Sequence, residues 1–329
     1  MGVSHSHPQY ERYYCRSPPC ETPGFCARDL ELMHQWSTST YKTLSEIPEL
    51  EPFWRDNVVK IGLRCHFVTR GILCVAALHL AHLTAAPERK QEFSQTASYH
   101  YDGATRAARE SIPDLTKPAA PEDQENHFIF SILNVYYENF ADGFLHQSDR
   151  DESRVPDLFA LSTGSQRLAA GAKWVGNRES LVYPIILHTQ EIYDCAKRIS
   201  TSGCSYIGEL ESRIQALDSA SCSIRASCEL AVEELKILVT VFYEFPRSRL
   251  FLNTFRWMYT LPEGFMQLLR SPKPPQEVLV IFVYCCMLSK VVSHEWWSER
   301  WMRSLTNLSH ELLDDEHRAW VVELSGWVS

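Results

Sequence analysis

The chain has 329 residues, 45% of them hydrophobic and 22% charged, so it holds ample apolar material for one large domain or two ordinary ones. That composition excludes disorder as the general state. The formal charge of −9 argues against a protein that grips nucleic acid by bulk charge, while leaving room for a local basic patch.

Residues 1–28 carry Pro8, Pro18, Pro19 and Pro23 among Ser, His and Tyr, without helical or alternating period, and read as a disordered arm. Asp29 offers an N-cap, and Leu30, Met33, Trp36, Thr40 and Leu44 follow at steps of three and four, predicting an amphipathic helix closed by Pro48 and Pro52. Phe53 to Leu83 is apolar on most faces and reads as two helices in the centre of a bundle. Phe93, Ala97, Tyr101, Ala104 and Ala108 form the next stripe after Pro87. Pro118 to Asn126 reads as a polar connector, and Phe128, Ile132, Val135 and Phe140 as a further buried helix. The charged run from His146 to Asp157 marks a loop or insertion.

The same grammar then resumes. Ile207, Leu210, Ile214 and Leu217 make one stripe, and Cys228, Leu235, Leu238 and Phe242 another. Pro274 and Pro275 suit the start of a helix over Val278 to Val292, and Trp297, Trp301, Leu305, Leu308 and Leu312 step along the next. Asp314 to His317 reads as the acidic first turn of a last helix. No strand alternation or Asn-Gly hairpin turn interrupts the pattern, so the expected fold is all-α, a multi-helix bundle of about ten to thirteen helices over residues 29–329. The longest apolar runs fall short of the roughly 20 residues of a bilayer span, so no membrane span is expected.

The 11 cysteines are scattered and odd in number, and no basic-then-apolar leader follows Met1, which together predict a reducing intracellular compartment. Cys15, Cys20 and Cys26, near His5 and His7, lack the short paired spacing of a structural zinc site, so no metal or other cofactor is expected. His79 and His82 lie three apart on an apolar helix without accompanying carboxylates, and read as core or interface histidines. No G-x-S-x-G, G-x-x-x-x-G-K-[ST] or G-x-G-x-x-G occurs, and no catalytic residue can be named, so a non-enzymatic role is expected. Bulky residues on the central and late helices are the candidates for lining an apolar ligand site: Phe67, Val75, Phe128, Ile132, Tyr136, Phe282 and Met287. Ordinary core is the competing reading at each position.

Several strings carry a resemblance. Asp29 to Leu44 (DLELMHQWSTSTYKTL), Trp54, Phe67 to Leu83 (FVTRGILCVAALHLAHL), Ala97 to Tyr101 (ASYHY) and Phe128 to Leu133 (FIFSIL) resemble the fungal-specific regulatory domain of zinc-cluster transcription factors, of the sterol uptake control protein type. In that family an L-E-L-M-H helix opens the domain and an F-L-x-x-[GA]-[IL]-L-A-x-[AS]-A-L-H-L-A helix forms its centre; Leu30 to His34 and Phe67 to Ala81 occupy those places here. The likeness covers roughly Arg28 to Trp320 and extends, less specifically, to the stretch Pro274 to Val292. It implies an all-helical, often dimeric protein, nuclear with room for a cytoplasmic pool, that holds a hydrophobic small molecule such as a sterol and gates transcription of sterol or secondary-metabolite genes. It further implies an N-terminal six-cysteine DNA-binding module, which Cys15, Cys20 and Cys26 do not reproduce; direct DNA binding is therefore not expected, and action through a full-length regulator or a homodimer is. The alternative expectation is a stand-alone binding or cyclase-like protein of fungal secondary metabolism.

Overall fold

A computed structural model of the chain describes residues 26–45, 47–111, 120–141, 177–200, 207–217, 222–245, 260–288, 296–297 and 311–322. Among these residues the fold is all-α, with eleven α-helices and no strand. The proposed arm up to residue 25, the charged run at 146–157 and most of the stripe after Trp297 lie outside the described residues.

Helix α1 spans Ala27–Thr38 and leads through 3-10 turns at Thr40–Thr43 and Pro48–Leu50 and a π turn at Phe53–Asn57 into α2, Val58–Arg64. Next come α3 (His66–Leu83), α4 (Pro87–Glu110) and α5 (Pro121–Ala141). The later part comprises α6 (Tyr183–Ser200), α7 (Gly208–Gln215), α8 (Cys222–Glu244), α9 (Glu263–Leu269), α10 (Gln276–Leu288) and α11 (Asp315–Val322).

Helix α3 is the centre of the earlier part. Thirteen of its 18 residues are buried, and α1, α2, α4 and α5 all pack on it. Helix α4 approaches α3 along most of its length, and the small side chains of Ala97, Ala104 and Ala108 on its buried face permit that approach. Gly62 has the same effect at the turn into α3, since a Cβ there would sit 2.7 Å from Ile72 Cδ1. The later helices gather on α8, which receives α6, α7, α9 and α10, while α11 packs on α10. Gln276 fastens that last contact: its amide donates to Leu312 O at 3.2 Å and accepts from Asp314 N at 2.9 Å. One continuous apolar core runs from Leu32 to Leu313, so both parts share an interior. Of the described helices only α3 is long and apolar enough to cross a bilayer, and 72% of it is buried, which is the condition of a bundle's central helix and no clear membrane span.

Three local expectations differ from the structure. Cys26, not Asp29, is the N-cap of α1, so Ala27 and Arg28 belong to the helix; Asp29 instead stands at the third helical position, and its carboxylate accepts the Cys26 N–H at 3.0 Å in a capping box. Helix α1 buries Leu32 and Trp36 but leaves Leu30 69% exposed and ends at Thr38, because the chain tightens into 3-10 geometry that turns Thr40 and Leu44 inward. The connector ends at Ala120 rather than Asn126, since Pro121 opens α5 and the acidic Glu122 and Asp123 fill its first turn. Glu125 and Asn126 are buried there, where both meet the Arg64 guanidinium.

Candidate functional site

The strongest concentration of unlike groups lies where α3 meets the Trp296–Trp297 pair. His79, 3% exposed on the central helix, has Thr40 Oγ1 at 2.9 Å and Gln35 Nε2 at 3.5 Å from its Nδ1. The 3-10 turn after α1 is what carries Thr40 over the ring. Burial pulls the His79 imidazole down to about 4, helped by the neighbouring His82, so the ring is neutral at physiological pH. A neutral ring accepting at Nδ1 fits the Thr40 hydroxyl as donor, with the Gln35 amide at the outer limit of hydrogen-bond distance.

Trp296 stacks on His79 with ring centroids 4.9 Å apart and planes at 19°, and it meets the ring of His82 at 5.8 Å. The three-residue spacing of the two histidines thus puts both against one indole. Phe140 from α5 closes edge-on at 5.3 Å, and the Trp296 indole N–H donates to Thr43 Oγ1 at 2.9 Å. Its neighbour Trp297 donates to Thr43 O at 3.3 Å and lies edge-on to Tyr136 at 5.1 Å. The Tyr136 hydroxyl donates to Leu44 O at 3.0 Å, and Tyr136 touches Trp54, whose carbonyl accepts the Trp36 indole N–H at 3.3 Å. This aromatic seam joins α1, α3 and α5 to the distant segment that carries Trp296 and Trp297. The rings pack on one another, and the Thr40 and Thr43 hydroxyls are engaged with His79, with Thr40 O and with the Trp296 indole, so the seam is a packed junction of aromatic faces with a few neutral polar groups.

A second set of polar groups ties α4 to its neighbours. His100 Nε2 lies 3.2 Å from Asp29 Oδ1, with Arg28 paired to Glu92 beside it. Burial alone would raise the Asp29 carboxyl, but the hydrogen bonds from His100 and from the Cys26 backbone outweigh it and hold the group below the usual carboxylate range. Further along, Tyr101 stacks on Tyr137 at 3.7 Å and donates to Glu138. Cys74, wholly buried close to Glu138 and Asp102, is pushed well above an ordinary thiol by burial, which keeps it protonated.

Of the residues singled out from sequence, Tyr136 lies in the seam. Phe67 packs on His127 and Phe130 at the start of α3, and Val75 is fully buried midway along it. Phe128 and Ile132 are buried on α5, Phe282 is buried on α10, and Met287 is half-buried there. A cleft of about 580 Å³ between α7 and α8 is lined by none of the seven. Sequence reasoning missed Gln35 and Thr43, which lie off the apolar stripe, placed Thr40 on that stripe without its contact to His79, and did not connect Trp296 with His79. Among the described residues no group of three His, Cys, Asp or Glu side chains is placed to hold a metal ion; Cys15 and Cys20 lie outside them.

Comparison of the chain with protein families, with curated proteins and with solved structures finds no match.

Proposed function

We propose that this chain is a regulatory domain of the fungal zinc-cluster transcription factor type, which binds a hydrophobic small molecule bearing one polar group and converts that binding into transcriptional control in the nucleus. The observation that carries the reading is the mutual packing of the two diagnostic strings. The string beginning at Asp29 supplies α1 and the turn behind it, the string Phe67 to Leu83 supplies the central helix, and Gln35 and Thr40 of the former reach His79 of the latter. The seam around His79 supports the same reading by its chemistry, because its walls are aromatic and its few polar groups are neutral, which suits a sterol-like body with one hydroxyl. Binding there rearranges Trp296, and Trp296 connects the earlier helices to the later chain.

Native mass spectrometry of the purified chain after exposure to ergosterol, with a parallel melting curve, tests this. Capture of one sterol per chain and a melting point raised by several degrees are expected, since ligand at about a hundred times its Kd adds about 2.7 kcal/mol. Release of a chemically altered molecule would contradict the reading and favour the cyclase-like alternative, and failure to bind ergosterol or any apolar compound from a fungal extract would remove it.

A further inference from the structure

Helix α7 is eight residues long and lies against the much longer α8, and the space between them opens as a cleft of about 580 Å³. Its floor is apolar. Ile214 and Val232 are buried beneath it, whereas Leu230, on the same helix as Val232, stays 57% exposed in the cleft itself. Its rim is acidic, formed by Glu211, Glu229 and Glu233.

The rim is fixed in place by its own ion pairs without being neutralised by them. Lys236 Nζ lies 2.6 Å from Glu211 and 2.7 Å from Glu233, which ties the two walls together. Glu233 nevertheless keeps 63% of its side chain exposed, and Glu229, which lies 3.7 Å from Arg225 and so beyond hydrogen-bond distance of it, keeps 47%. Across α7 and α8 six glutamates face three basic residues, in keeping with the chain's net charge of −9. An exposed leucine between water-facing carboxylates is complemented by an apolar side chain flanked by ammonium or guanidinium groups. One face of an amphipathic helix delivers that arrangement at spacings of three and four residues.

We propose that the cleft between α7 and α8 is a docking groove for a basic amphipathic helix of a partner protein. The groove shares no lining residue with the aromatic seam, so this inference stands apart from the small-molecule reading. Leu230 is the apolar anchor, and Glu229 and Glu233 orient the incoming cations, speeding encounter and setting the register.

Fluorescence anisotropy of the full chain with a labelled synthetic peptide of four helical turns, leucines on one face and lysines on the rest, tests the proposal against the same peptide with glutamates for lysines. Saturable binding of the basic peptide alone is expected, weakened by added salt. Leu230→Asp should weaken it by about tenfold, and Glu229→Gln with Glu233→Gln should weaken it less while flattening the salt dependence. Circular dichroism melting of each variant, expected unchanged because the replaced side chains are exposed, keeps a loss of binding distinct from a loss of fold. Equal binding of the acidic peptide, indifference to Leu230→Asp, or no binding would overturn the proposal. So would self-association of the chain that Leu230→Asp abolishes, which would make the occupant a second copy.

Discussion

The helices around α3 and the helices around α8 contribute to one apolar core, yet they differ in what they bury along with it. Around α3 lie Thr40, Thr69, His79, Ser94, Thr96, His100, Glu125 and Asn126, all buried; on α6 to α11 the described buried polar residue is Thr240, whose hydroxyl merely returns to Lys236 O one turn back. Buried polar groups must find particular partners at particular distances, whereas apolar side chains tolerate many packings of equal volume. The earlier helices are therefore held in one arrangement by directional contacts such as Thr40 to His79 and Arg64 to Glu125. The later helices are held by volume, and their directional contacts sit at the periphery, as in the Tyr284 hydroxyl bonding Trp320 O at 3.0 Å. Trp296 and Trp297 bring directional contacts from the later chain to the earlier helices, and the Asn57 amide adds another by donating to Leu181 O at 2.8 Å.

That contrast can be broken most directly at its shared core. Trp54→Ala in the earlier part and Phe242→Ala in the later part should each cost about 3–5 kcal/mol, and each should lower a single cooperative urea transition. Two separated transitions would show that the two parts do not share one interior.

Acid should act mainly on the earlier part. The His79 imidazole takes a proton near 6.5 when unfolded but only near 4 in the fold, so the unfolded chain binds more protons throughout that window. Stability therefore falls as the pH drops from about 6.5 to about 4, by about 3 kcal/mol for this group alone. His66 and His127 in the earlier part are shifted downward by burial as well and act in the same direction, as does His188 on α6 of the later part. Denaturation at a series of pH values should give a shallower slope for His79→Gln, which keeps a polar side chain and removes the titration; an unchanged slope would refute the assignment.

Smaller effects sharpen the contrast further. Tyr136→Phe removes the bond to Leu44 O within the seam and should cost about 1 kcal/mol in the same urea titration. Thr240→Val should stay within about 0.5 kcal/mol, because its hydroxyl adds only to a carbonyl of its own helix. Equal costs at the two positions would erase the distinction between directional and volume packing.

The all-α architecture was legible because helical period survives in nearly every segment: Phe93, Ala97, Ala104 and Ala108 fall on the buried face of α4, and Leu235, Leu238 and Phe242 on that of α8. Boundaries were less legible where backbone hydrogen bonding changes type without a change of composition. Thr40 and Leu44 continue the stripe of α1 in sequence, yet Thr40 opens a 3-10 turn and Leu44 follows its end, and nothing in their spacing distinguishes that from a continued α-helix. The seam was partly legible. His79 and His82 could be paired from their spacing and Tyr136 singled out as bulky and central, but the stacking on Trp296 depends on a contact between distant positions, which periodicity does not encode.

In the proposed function the chain binds a small apolar molecule and reports it to transcription. The direct measurement tethers the chain to an unrelated DNA-binding domain and follows a reporter in fungal cells while sterol supply is raised and lowered. Output that changes severalfold with sterol, and that Trp296→Ala locks at one level while the protein remains folded, is the result predicted here. A reporter indifferent to sterol in both the parent chain and the variant would contradict it.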